Sequence, residues 1–191
     1  MFRCRNDAMS FQIPVYLEAR NLAVERGAQS VLDIGCGNPQ KLRAFLMPFV
    51  NTIVGLDLPE VVEKIKETFG DWIGLDIEKN RIDLKQKFDI VIAADVIEHL
   101  SNPDGLFDIV VRHSDQESMI LISTPERESL RDKENGIRIA NDQHKHEYSK
   151  EEMIALIEAK GLKIMKRFLY REDASVFSYV ENVFVCKRRE N

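Results

Sequence analysis

The sequence predicts an α/β fold: an open, mostly parallel sheet with helices on both faces, closed by an antiparallel C-terminal hairpin. Three observations carry this expectation. Short apolar runs alternate with helix-like stretches along most of the chain. One run, Ile90-Val91-Ile92-Ala93-Ala94, is continuously apolar, as a strand is when both of its faces are covered. Near the C-terminus two β-rich stretches, about 162–169 and 176–186, have no helix between them and should therefore pair antiparallel.

Taken in order, residues 14–26 read as a helix ended by Gly27, so that 1–28 form an N-terminal helical extension. Ser30 to Ile34 is the first strand. Asn38 and Pro39 then make an N-cap and first-turn pair for the following helix. Thr52 to Leu56 is the second strand, and Val61, Ile65 and Phe69 recur every four residues behind it. Trp72 to Leu75 and Asp89 to Ala94 are the next two strands. Leu106, Ile109, Val110 and His113 follow the i, i+3, i+4, i+7 spacing of one helical face, and Met119 to Ile122 is a fifth strand. Strand alternating with helix implies right-handed βαβ crossovers. Ser149-Lys150-Glu151-Glu152 is a capping box that opens a last helix with Met153, Ile154 and Ile157 on its apolar stripe and Gly161 past its end.

Composition bounds the function. A chain of 191 residues, 44% hydrophobic and 31% charged, suits one globular domain over 1–191. Lys and Arg total 27 against 32 for Asp and Glu, a net charge of −5, which disfavours non-specific nucleic-acid binding but leaves room for a local basic patch. No apolar run approaches the roughly 18 residues of a membrane span. Arg3, Arg5 and Asp7 do not begin a secretory signal. Cys4, Cys36 and Cys186 are too few and scattered for a disulfide framework, so a reducing, cytoplasmic setting is expected, with the chain a monomer or homodimer.

In sheets of this kind ligands sit outside the carboxyl ends of the strands. The first strand runs into Val31-Leu32-Asp33-Ile34-Gly35-Cys36-Gly37-Asn38-Pro39, where Gly35 and Gly37 permit a tight turn and close approach of a ligand. A purely structural turn is the alternative. The dinucleotide fingerprint needs a third glycine where Gln40 stands, and no Gly-Lys-Ser/Thr follows for a phosphate loop. Carboxylates instead mark successive strand ends: Asp33, Asp57, Asp76 and Asp95, spaced by 24, 19 and 19 residues. Each would repel a nearby pyrophosphate charge by about 0.7 kcal/mol even in bulk water. Together they suit a ligand with cationic groups and free hydroxyls.

Val31 to Gly37 with Asp57, Asp76 and Asp95, continuing through Phe88 to Leu100, resembles the class I S-adenosylmethionine-dependent methyltransferases. The look is nearest the small-molecule group that includes quinone-biosynthesis O-methyltransferases. The resemblance implies a Rossmann-like sheet and S-adenosyl-L-methionine as cofactor. It implies Asp33, Gly35 and Gly37 around the methionine moiety, Asp57 on both ribose hydroxyls, and Asp76 on the adenine amino group. The Ile77 N–H would meet a ring nitrogen, Leu58 and Ile77 would sandwich the adenine, and Asp95 would complete the set. Pro39 stands where the family usually has a third glycine. Asp57 also reads as a helix N-cap before Pro59, and Asp76 as the start of a turn before Glu78-Lys79-Asn80.

Methyl transfer is an in-line attack on a sulfonium methyl, accelerated by alignment and exclusion of water. A base is needed when the acceptor is a protonated hydroxyl or amine. His99 leads as that base, with Glu98 beside it and His146 as another candidate; a structural histidine at a helix start is the alternative for His99. Thr124 to Tyr148 is a long connection of 25 residues, expected to be a lid or substrate loop. It carries Arg127, Arg131 and Arg138, suited to a phosphate or carboxylate on the acceptor or merely to a charged surface. His144 and His146 would point the same way on an extended backbone and, with Glu98 and His99, form candidate ligands of a divalent metal; a solvated polar loop is the other reading. The leading expectation is methyl transfer to oxygen of a small-molecule acceptor. Methylation of RNA or protein, and non-enzymatic binding of S-adenosylmethionine or S-adenosylhomocysteine, are the alternatives.

Overall fold

The computed structural model describes residues 8–127, 131–132, 142–173 and 177–189. Its first half alternates helix and strand: α1 (Ala8–Arg26), β1 (Ser30–Ile34), α2 (Gln40–Phe45), β2 (Thr52–Asp57), α3 (Pro59–Ile65), β3 (Asp71–Gly74) and β4 (Ile90–Ala94). A single 3₁₀ turn, Ile97–His99, leads to α4 (Asp104–Arg112) and β5 (Met119–Pro125). Then come β6 (Arg131–Asp132), α5 (Lys150–Ala159), β7 (Leu162–Asp173) and β8 (Phe177–Arg188). Among the described residues, these eight strands form one sheet in the order β3-β2-β1-β4-β5-β8-β6, with β7 paired to β8. The pairs from β3 to β5 are parallel, and every pair made by β8 is antiparallel.

The period-two alternation of buried strands explains the layering. Leu32, Ile34, Val91 and Ala93 join one apolar cluster with α4 and α5. Val31, Ile90, Ile92 and Ala94 face the other way into a cluster with α1 and α2. Strand order reverses at β1, between β2 and β4, and this opens a crevice at the carboxyl ends of the strands.

Several elements differ in extent from the sequence expectation. Helix α1 starts at Ala8 and continues through Pro14, at the loss of one main-chain hydrogen bond. Helix α3 stops at Ile65, short of Phe69, which instead packs edge-on against Trp72 at the start of β3. The hairpin strands each run for 12 residues, with a register shift between Ile164 and Lys166. The capping box forms as expected: Ser149 Oγ accepts from the Glu152 N–H at 3.2 Å, and the Glu152 carboxylate accepts from the Ser149 N–H at 2.8 Å.

Candidate active site

A cleft of about 310 Å³ lies over the carboxyl ends of β1 to β4. Its wall includes Gly35, Asp57, Leu58, Ile77, Asp95 and His99, with Asp76 at the rim. Gly35 has φ +70°, and a Cβ there would lie 2.4 Å from Val96, so the turn after β1 needs glycine on both counts. Gly37, at φ +54°, has open space where a Cβ would stand.

Asp57 pins this turn. One carboxylate oxygen accepts the Gly37 N–H at 2.7 Å and the other accepts the Leu58 N–H at 2.7 Å. The N-cap of α3 is Leu58, so Asp57 precedes the cap and joins two strand ends. Burial pushes its pKa up, and the two donors pull it part of the way back. Asp76 begins the turn anticipated before Glu78: its carboxylate accepts from the Glu78 N–H and pairs with Lys79 at 2.6 Å. That pairing holds its pKa below the ordinary value. Leu58 is exposed at the rim and Ile77 is buried beneath it.

Under the glycine turn lies a group the sequence did not bring together. Asp33 is fully buried; one oxygen accepts the Tyr16 hydroxyl at 2.7 Å and the other, Oδ1, has no hydrogen-bond partner among the described residues. Burial raises its pKa to about 7 against the opposing pull of Lys41 and Tyr16. Lys41, also buried, lies over the Tyr16 ring and donates to Gln12 Oε1. Gln12 in turn donates to the Ala94 carbonyl at 3.0 Å, tying α1 to the end of β4. The only sequence signal for this group is that Gln12 and Tyr16 share one face of α1 at i, i+4 spacing.

Beyond β4 the chain takes a sharp turn at Asp95, whose φ of +54° is in the left-handed region where Asp is better tolerated than most residues. The Ser123 hydroxyl donates to Asp95 at 2.9 Å. Glu181, on β8, is buried near Asp95; burial and that neighbouring charge push its pKa up to about 10.

The 3₁₀ turn then presents His99 to the cleft and buries Glu98. Nδ1 of His99 lies 3.1 Å from the Gln143 carbonyl. Thr124 Oγ1 donates to Glu98 Oε2 at 3.2 Å, while Glu98 Oε1 has no hydrogen-bond partner among the described residues. Burial, reinforced by the Asp95 charge, raises the Glu98 pKa. The N–H groups of Lys145 and His146 both point to the Glu98 carbonyl, at 2.7 and 3.1 Å. Consecutive N–H groups aimed at one oxygen mean a turned backbone, so His144 and His146 diverge. His144 stands edge-on to His99 with ring centres 5.0 Å apart. Burial, then the neighbouring His99, pushes its pKa down to about 4. His146 packs tilted against Tyr148, ring centres 4.3 Å apart, and lies 3.7 Å from Glu152, away from that cluster. Arg127 pairs with the same Glu152 at 3.0 Å. The side chains of Arg131 and Arg138 lie outside the described residues, as do 128–130 and 133–141 of the expected substrate loop.

Residues 13–166 match the family model described as a methyltransferase domain. No curated protein sequence matches the chain. Among solved structures, an S-adenosylmethionine-dependent methyltransferase from Clostridium acetobutylicum superposes with a TM-score of 0.68 at 13% identity, covering 98% of this chain and 100% of that one. The N-methyltransferase NodS from Bradyrhizobium japonicum gives 0.63 at 16% identity, covering 95% and 98%. The plantazolicin methyltransferase BpumL, in complex with a pentazolic desmethylPZN analog and SAH, gives 0.68 at 17% identity, covering 93% and 84%. Identities this low speak for the fold, whereas the family match spans most of the sequence. The chain belongs to the methyltransferase-domain family, as an S-adenosylmethionine-dependent enzyme of the class I fold.

Proposed function

We propose that the chain methylates an oxygen atom of a small-molecule acceptor, with the cofactor lying along the β1–β4 crevice. The observation that carries the acceptor side is His99 lining the cleft beside Asp95, with buried Glu98 next to it in the chain. When bound, S-adenosylmethionine supplies a methyl group on a positively charged sulfur. The residues fit its other groups. The unpartnered Oδ1 of Asp33 suits an ammonium, directly or through a water, and the free lone pairs of Asp57 suit a ribose diol. Leu58 and Ile77 offer apolar faces for the adenine, with Asp76 at the rim toward its amino group.

A hydroxyl loses its proton as it is methylated, so its activation falls to the polar end of the cleft. With Nδ1 of His99 donating to the Gln143 carbonyl, Nε2 keeps its lone pair and is the atom left to act there. The left-handed turn at Asp95 and the presence of both Asp95 and His99 in the cleft wall support this role.

The test is incubation with methyl-labelled cofactor and a cell metabolite extract, followed by identification of the labelled product. Label in a low-mass methyl ether or ester is the expected result. His99→Ala should lower that turnover by about a hundredfold or more while cofactor affinity changes little. Label confined to RNA or protein, or a variant with parental rates, would overturn this reading.

A further inference from the structure

Glu181 is fully buried on β8 and has no part in holding the nucleoside. Ala94 pairs with Ser123 across β4 and β5, and Pro125 pairs with Glu181 across β5 and β8. Side chains alternate along a strand, so Ser123 and Glu181 turn to the α1 face of the sheet with Leu121 and Val183. Asp95 follows Ala94 directly, and the register thus gathers Asp95, Ser123 and Glu181 at the carboxyl end of the sheet. The Ser123 hydroxyl spends its one proton on Asp95, at 2.9 Å, and neither carboxyl oxygen of Glu181 has a hydrogen-bond partner among the described residues. A buried carboxylate with no donor is costly. A protonated carboxyl is itself a donor, and Asp95 is the acceptor beside it. Two neighbouring carboxyl groups in an interior do not both ionise, so the pair keeps one proton and one negative charge. Fully buried Glu181 keeps the proton, and half-buried Asp95, which also accepts from Ser123, keeps the charge. Lys41 from α2, Gln12 and Tyr16 from α1 and Glu98 from the 3₁₀ turn act on the pair, and Tyr170 of β7 stands opposite Glu181 in register.

We propose that Glu181 is a positioning residue that holds Asp95 as an anion facing the sulfonium, and so makes the site prefer the charged cofactor to its neutral thioether product. The proposal rests on the methyltransferase reading. In that reading Asp33 takes the ammonium and Asp57 the ribose, so the sulfur, which joins the two parts, lies over the Gly35 turn. The Asp95–Val96 turn packs on that same glycine: a Cβ on Gly35 would lie 2.4 Å from the Val96 side chain, and Gly35 and Asp95 share the cleft wall. A carboxylate there attracts a positive sulfur through a medium that screens poorly. Once the methyl group has passed to the acceptor, the sulfur retains the bonding pair and is neutral, and that attraction is gone. Product release is thereby favoured over release of unspent cofactor. Without Glu181, Asp95 loses a donor that supports its charge, while the contacts of the adenine, ribose and ammonium stay as they are.

The test is calorimetric titration of the full chain with S-adenosylmethionine and, separately, S-adenosylhomocysteine, in the parent, Glu181→Leu and Glu181→Gln. Glu181→Leu should lower the ratio of the two affinities, cofactor over product, by about fivefold or more, with product affinity held within about twofold. Glu181→Gln should keep the parental ratio, because its amide donates to Asp95 as the protonated carboxyl does. A loss in Glu181→Leu shared equally by both ligands marks a purely structural role and overturns the proposal. So does a ratio that falls as far in Glu181→Gln as in Glu181→Leu. If Glu181→Leu does not fold, Asp95→Asn carries the test, since it removes the charge and keeps the shape: the ratio should fall, and a parental ratio overturns the proposal. A parent that binds neither nucleoside refutes the methyltransferase reading itself, whereas a parent that binds both with a ratio indifferent to Glu181 removes this role alone.

Discussion

Asp57 has two tasks, and they share the same two oxygen atoms. It holds the N–H groups of Gly37 and Leu58, so the glycine turn and the start of α3 are fixed before any ligand arrives. Each oxygen still has a lone pair to offer a hydroxyl. Removing the carboxylate therefore strips the ribose of a charged acceptor and leaves two N–H groups without their partner. A hydrogen bond to a charged group contributes about 1.5–3 kcal/mol, so Asp57→Ala should weaken adenosylhomocysteine binding by about tenfold to a hundredfold. Circular dichroism should show the fold retained, since the sheet beneath does not depend on this side chain. Asp57→Asn, which keeps one acceptor oxygen, should lie between. Parental affinity in the alanine variant would show that Asp57 serves the turn alone.

The elements around the cleft constrain one another through backbone contacts. Helix α4 approaches the 76–80 turn so closely that a Cβ on Gly105 would lie 2.1 Å from the Ile77 carbonyl oxygen. Glu78 closes the same junction from the other side by accepting the N–H groups of Ser101 and Asn102. Gly105→Ala must displace either the helix or the turn that carries Ile77. Overpacking of this kind costs about 1–3 kcal/mol, and the displaced Ile77 should also reduce cofactor affinity. A lowered urea midpoint together with a raised dissociation constant for adenosylhomocysteine is the expected pair; unchanged values of both would mean that the junction yields freely. The close approach is invisible in the sequence, where Gly105 is an ordinary residue near a helix start. The parallel strands were legible because burial on both faces leaves continuous apolar runs such as Ile90 to Ala94. The far end of β7 was not, since beyond about residue 169 the strand runs on through the charged Arg171-Glu172-Asp173, which carry no apolar pattern. At the site, Asp57 and the glycines announce themselves at a strand end. Tyr16 and Glu181 reach it from distant segments, through the packing of α1 on the sheet and the pairing of β8 with β5, while Lys41 comes from the first turn of α2.

Across the whole molecule, folding gathers four acids near the carboxyl end of the sheet: Asp33, Glu98 and Glu181 in the interior and half-buried Asp95 in the cleft wall. Burial raises the pKa of each. For Asp33 the rise is from 3.8 to about 7, and for Glu181 from 4.5 to about 10. A carboxyl that holds its proton more tightly when folded stabilises the fold fully only below its unfolded pKa, and that contribution is lost as pH rises through the folded pKa. Asp33 should therefore withdraw stability between about pH 4 and 7, and Glu181 over a window extending to about pH 10. Lys41 opposes this trend, because burial lowers its pKa and rising pH relieves the cost of keeping it charged. Exposed acids such as Asp76 and Asp104 have lowered pKa values and act mainly at lower pH. Urea unfolding of the ligand-free chain from pH 5 to 9 isolates the buried pair when parent and isosteric variants are compared. Asp33→Asn should flatten the curve between pH 5 and 7, and Glu181→Gln between pH 7 and 9. Adenosylhomocysteine, whose ammonium would face ionised Asp33, should add more stability to the parent at pH 8 than at pH 5, and Asp33→Asn should erase that difference. Parallel curves for parent and variants would mean that these acids titrate in the fold as they do in water, and that the interior holds no proton awaiting a cationic ligand.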